Sequence, residues 1–144
     1  MRTSSQADLA VRLRLAIART ARWLRQQAGE ELSPSQVAAL ATIDRHGPLT
    51  PSELATRERI KRPTATRVIA RLEESGLVGR TRDPEDGRSS LVAVAPAGRE
   101  LLERVRTRKD AYLSRRLREL TPDERATLDR AAAILERLLE EDRA

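Results

Sequence analysis

Two clusters of side chains carry most of the chemistry this 144-residue chain offers: Lys61, Arg62, Thr64, Thr66, Arg67 and Arg71 first, then Arg80, Arg82 and Arg88. A guanidinium presents its donors in a planar fork that fits two oxygens of one phosphate, or O6 and N7 of one guanine. Threonine hydroxyls reach phosphate, and threonine methyls pack on thymine. A charged stretch is usually just a solvated helix face. Here the charge coincides with a helix start, a short preceding helix and a basic hairpin, so contact with nucleic acid is the better reading. Arg67 is the candidate for a guanine contact, with Thr64 and Thr66 on phosphate or a thymine methyl. Arg88, backed by Arg80 and Arg82, either probes a narrow minor groove or keeps the hairpin soluble.

Other chemistries are poorly served. There is no cysteine, which excludes disulfides, a thiolate switch and cysteine metal sites. His46 is the single histidine and sits at an expected helix end, where the dipole favours it. No nucleophile, base and acid set can be assembled, so no enzyme, no cofactor and no metal are expected.

The clusters need elements to hold them. Thr50-Pro51-Ser52-Glu53 combines a capping hydroxyl, a proline that needs no donor at N1 and a glutamate that can bond back. The helix it opens is short, because Glu58-Arg59-Ile60 turns the chain toward a second start at Arg62-Pro63-Thr64. From there Ala65, Val68, Ile69 and Leu72 recur at helical spacing and form the buried stripe, which puts Thr66, Arg67, Ala70 and Arg71 outward and Thr64 on the flank. Gly76 is the expected C′ residue. Strands over Leu77–Arg82 and Ser90–Val94 follow, joined by Asp83-Pro84-Glu85-Asp86-Gly87-Arg88, in which Asp-Gly is expected to supply a positive φ. Helix, short turn, helix and basic hairpin make a winged helix-turn-helix, with the second helix in the major groove.

Arg71-Leu72-Glu73-Glu74-Ser75-Gly76-Leu77-Val78-Gly79-Arg80, followed by Asp83-Pro84-Glu85-Asp86-Gly87-Arg88 and Pro96-Ala97-Gly98-Arg99, resembles the MarR family of bacterial transcriptional regulators. The likeness covers nearly the whole chain. It implies a homodimer with interdigitated terminal helices, two winged regions reading a palindrome, and affinity that falls when a small molecule binds. By position, Lys61 to Arg67 correspond to the start of the recognition helix, Arg88 to the wing arginine of the minor groove, and Asp86 to the acid that holds the wing arginines. Trp23, His46 and Tyr112 are the matching candidates for a small-molecule cleft, although ordinary core or interface packing accounts for the two aromatics as well. The chain departs from the family at Gly87, where a second arginine is common. It departs again at Ala95, where threonine is common, which removes a cap worth ~1 kcal/mol.

The remaining segments fit this scheme. Residues 1 to about 5 are expected to be disordered. Leu9, Leu13, Ala16, Ile17, Thr20 and Leu24 then mark a helix ending near Gly29, and Ser33-Pro34-Ser35-Gln36 opens a support helix that buries Val37, Leu40 and Ile43. Pro96 opens a long helix, and Thr121-Pro122-Asp123-Glu124 opens a last one with Leu128, Ala131, Ala132, Leu135, Leu138 and Leu139 on one broad side. Both terminal helices need a partner, which a two-fold dimer supplies. An intramolecular three-helix bundle is the alternative. The first helix is basic and amphipathic, but with a single Trp it favours a partner helix over a membrane surface.

The expected architecture is mainly α with a small β-hairpin wing. Residues 1–32 form an N-terminal dimerisation helix, 33–95 the winged helix-turn-helix, and 96–144 the C-terminal dimerisation helices. Basic residues number 28 against 22 acidic ones, a net +6. Arginine richness alone also follows from a GC-rich genome, so the distribution decides. Residues 50–82 hold eight bases and four acids, whereas residues 121–144 hold four bases and seven acids. A basic reading head with an acidic tail points to double-stranded DNA as the partner. With no secretory leader and no membrane span, a cytoplasmic location is expected. A repressor released from a palindrome by a small ligand is the reading adopted, with the sign of regulation open. The alternatives are a winged helix that binds protein, or a non-specific architectural DNA protein.

Overall fold

The structure, a computed structural model, describes residues 5–29 and 31–142. Over these residues the order is α1 (Gln6–Ala28), α2 (Pro34–His46), α3 (Pro51–Glu58), α4 (Arg62–Glu74), β1 (Val78–Arg82), β2 (Ser90–Val94), α5 (Pro96–Arg118) and α6 (Pro122–Glu141). The disorder expected of the first residues falls outside the described ones except at Ser5, whose Oγ accepts from the Asp8 amide and caps α1.

Local chemistry sets the helix ends. At α2 and α6 both halves of a capping box form: Ser33 and Thr121 accept from the amides of Gln36 and Glu124, whose side chains accept in return from the cap amides. Thr50 accepts from the Glu53 amide at 3.1 Å to start α3. Ala95, with no side-chain acceptor, leaves the start of α5 uncapped. Helix α4 ends as a Schellman motif, with Gly76 at φ 72° and the amides of Gly76 and Leu77 on the carbonyls of Glu73 and Leu72.

The same motif ends α3, but with an arginine. Arg59 stands at φ 54°, its amide and that of Ile60 bonding back to Thr56 and Ala55. A left-handed backbone costs an L side chain roughly 1–2 kcal/mol, and glycine escapes most of that. Arg59→Gly is therefore expected to stabilise the fold by about 0.5–1 kcal/mol. Urea unfolding at unchanged m-value checks it, and an unaltered or lower midpoint would contradict it.

Helices α2, α3 and α4 enclose a core without phenylalanine, built on the fully buried Leu40, Ile43, Leu54, Ile69 and Leu72. The hairpin closes one side. Its register pairs Val78 with Val94, Arg80 with Val92 and Arg82 with Ser90, and Leu49 adds a one-residue bridge to the far side of Val92. Helix α5 begins against this core: Ala95 donates to the Leu77 carbonyl at 2.9 Å, and Leu102 is buried with the core residues. Gly98 lets it come so close, since a Cβ there would lie 2.2 Å from the Leu77 oxygen.

Beyond this body, α1 packs along α5, and Arg108 reaches the Ala28 carbonyl at the end of α1. Arg125 donates to the carbonyls of Leu117 and Leu120 and so secures the corner between α5 and α6. Past that corner α6 buries no residue, so the intramolecular three-helix bundle is not formed. No helix among the described residues is long and apolar enough to cross a membrane.

Candidate nucleic-acid interface

Helix α4 presents the first cluster as its periodicity requires. Ala65, Ile69 and Leu72 are buried, while Lys61, Arg62, Thr66, Arg67 and Arg71 are exposed. Thr64 is half-buried on the flank, its Oγ1 within 3.5 Å of Arg67 Nη2. Lys61 is the N-cap residue and makes no side-chain cap bond, which leaves the first-turn amides of α4 to an outside acceptor. Amides, helix dipole and two cations at one end suit a phosphate.

The wing is placed beside this face. A polar groove lies between the start of α3, α4 and the hairpin, and Ser52, Arg62, Thr66, Arg80, Arg88 and Ser89 are among its lining residues. Three guanidiniums from three elements thus border one channel. Arg80 is not free within it: its Nε donates to Glu73 at 2.9 Å, tying the first strand to α4. Arg82 and Arg88 are exposed, with Arg88 in the turn.

The wing turn is built differently from its sequence expectation. Gly87 has no positive φ; among the described residues the left-handed glycines are Gly29 and Gly76. Aspartate side chains fold the turn instead. Asp83 accepts from the Glu85 amide, and Asp86 accepts from the Arg88 amide at 3.1 Å and from the Ser89 hydroxyl. Asp86 therefore holds Arg88 by its main chain rather than by its guanidinium.

The three cleft candidates are not brought together. Trp23 and Tyr112 meet edge to face between α1 and α5, centroids 4.8 Å apart, with Arg116 over the indole and Arg115 over the phenol. His46 closes α2 two residues after Asp44, which pairs with Arg99 near the start of α5. Tyr112 lies roughly 20 Å further along that helix. The Glu73 contact joins strand to helix, and the acid's position seven residues before Arg80 is the only sequence signal for it; Asp86, expected to hold the wing arginines, does so through the turn main chain and Ser89.

A short helix, a tight turn, an exposed basic helix and a flanking hairpin define a winged helix-turn-helix, a DNA-binding class. Comparison with known proteins narrows it. Residues 32–90 match the model of the MarR family. An uncharacterised HTH-type transcriptional regulator of Mycobacterium leprae (strain TN) is 42% identical over 138 residues, 95% of this chain and 96% of that one. A Pseudomonas aeruginosa PA01 crystal structure superposes at TM-score 0.85 with 34% identity, covering 96% of this chain and 98% of that one. A mutant of S. aureus MepR, solved bound to an oligodeoxyribonucleotide, shares the fold at TM-score 0.68 and 19% identity, over 92% and 96% of the two chains. The chain belongs to the MarR family. It is a DNA-binding transcriptional regulator, not an enzyme.

Proposed function

We propose that the protein acts as a homodimer on a palindromic operator, with residues 33–95 as the reading region and residues 1–32 and 96–144 as the dimerisation helices. The observation that carries the dimer is the state of the terminal helices. Between Gln6 and Arg22, α1 has only Leu15 half-buried, while Leu9, Val11, Leu13 and Ile17 are exposed; Leu128, Ile134, Leu138 and Leu139 of α6 are exposed as well. Apolar side chains left exposed along two long helices call for a covering partner surface.

With two heads, each α4 enters a major groove and each Arg88 the adjacent minor groove. Half-sites then lie about 10 bp apart, on one face of the duplex. Occupying a site that overlaps a promoter makes the protein a repressor. Footprinting on DNA around its own gene, with titration at several salt concentrations, tests the reading. A protected palindrome and steeply salt-dependent affinity are expected. Binding without sequence preference would favour an architectural protein, and no binding would favour a protein partner.

Arg67→Ala is expected to relax base preference at one position of each half-site, by roughly 1–3 kcal/mol of discrimination; an unchanged preference in a binding selection would remove Arg67 from the base-reading set. Arg88→Ala is expected to weaken binding to all sequences and to lower the salt slope by about one per wing. Unaltered affinity and slope would place Arg88 outside the groove.

Release by a small ligand would have to open the seam between α2 and α5, bordered by Glu31, Leu32, Val37, Leu40, Leu101, Leu102 and Val105. Its volume of about 10 Å³ is near the least that holds one water. A ligand entering there must move α5 relative to α2, and with it the spacing of the two heads. A compound that binds yet leaves operator affinity unchanged would refute this route.

A further inference from the structure

Helix α1 carries Arg12, Arg14, Arg19, Arg22 and Arg25 against one acid, Asp8, a formal +4. Helix α6 carries six acids against three bases, a formal −3. Within its own chain α1 rests on α5, which is itself basic, with eight bases and three acids. The positive charge of α1 is thus not answered by the helix it packs on, and the negative charge of α6 stands on a helix that buries nothing.

The charges are also spaced alike. Arg12 and Arg19 are separated by two helical turns, ~10 Å, and Asp129 and Glu136 by the same distance. Arg12 is next to the exposed Leu13, and Asp129 next to the exposed Leu128. All four charged side chains are exposed, and among the described residues none of them makes an ion pair.

We propose that the interface between two copies is charge-crossed: α1 of one copy lies on α6 of the other, with Arg12 and Arg19 beside Asp129 and Glu136. This rests on the homodimer reading above. In a two-fold interface the pairing occurs twice, so four ion pairs rim the shared apolar surface. Each exposed pair is weak. Their joint effect is on selection: α1 laid on α1 would set arginine against arginine, which disfavours that arrangement, while α6, with Arg125, Arg130 and Arg137 among its acids, opposes a second α6 only through its net charge.

The test is sedimentation velocity of the full chain over a concentration series, with two charge-reversed variants. One carries Asp129→Lys and Glu136→Lys, and the other Arg12→Glu and Arg19→Glu. Each alone is expected to dimerise at least tenfold more weakly than the wild type. Mixed in equal amounts, the two are expected to regain wild-type association as heterodimers, and a chain carrying all four substitutions is expected to regain it as a homodimer. That recovery also shows that the single variants fold. If both variants dimerise like the wild type, or if mixing restores nothing, the crossed pairing is wrong while the dimer stands. A wild-type chain monomeric at every concentration would overturn the dimer itself. Loss of operator binding by the Arg12→Glu, Arg19→Glu variant with dimerisation intact would assign those arginines to DNA and overturn the proposal.

Discussion

The double substitution Leu138→Gln, Leu139→Gln is expected to convert the protein to a 16.1 kDa monomer with a folded reading head. These two leucines are 54% and 66% exposed within one chain, and α6 contributes nothing to the core around α2, α3 and α4. Glutamine keeps helix propensity and charge, so what changes is the apolar area offered to a partner. In a two-fold interface four leucines are lost, at roughly 1.5 kcal/mol each, or about 6 kcal/mol of association and four powers of ten in the dimer constant. Operator affinity should follow, because separate heads lose the 10²–10⁴-fold gain of tethered binding, an order-of-magnitude range. Sedimentation and a gel-shift titration measure the two effects. A variant that still sediments as a dimer would remove these α6 leucines from the interface.

Gly98→Ala is expected to be among the most damaging single-methyl changes in the chain. The added Cβ would fall 2.2 Å from the Leu77 carbonyl oxygen and 3.1 Å from a methyl of Val94. The carbonyl is backbone, already accepting from Ala95, and cannot rotate aside. Helix α5 must tilt off the hairpin or lose its first turn, at a cost of about 2–4 kcal/mol. In a chain of this size that lowers Tm by roughly 5–15 °C. Gly87→Ala supplies the control: no atom lies within 4 Å of its Cβ position and its φ is not positive, so little change is expected. Equal melting curves for the two variants would mean that α5 accommodates the methyl.

These two glycines show which features a one-dimensional reading can reach. Helix starts at Ser33, Thr50 and Thr121, the end at Gly76 and the second strand over Ser90–Val94 were all apparent in sequence, because caps and periodicities act within a few residues. Asp-Gly at the wing predicts a glycine turn, yet Asp83 and Asp86 fold it through their carboxylates; both solutions use the same residues, and only the backbone angles separate them. The hold of Glu73 on Arg80, the reach of Arg125 to the end of α5 and the closeness of Gly98 to Leu77 join different elements, and nothing local encodes such meetings. Trp23 and Tyr112, the cleft candidates by family position, meet each other, while the length of α5 separates them from the third candidate, His46. The outward face of α4 was the most readable part of the site, since burying Ala65, Ile69 and Leu72 leaves its arginines one direction to go.

The edge-to-face contact of Trp23 with Tyr112 gives the molecule an optical asymmetry. Trp23 is the sole indole of the chain and Tyr112 the sole phenol, and both sit where α1 meets α5. Ultraviolet emission therefore reports on the terminal helices alone, while the reading head is dark. Emission and far-ultraviolet circular dichroism melts that coincide would show head and terminal helices coming apart in one step, and melts that separate would time which goes first.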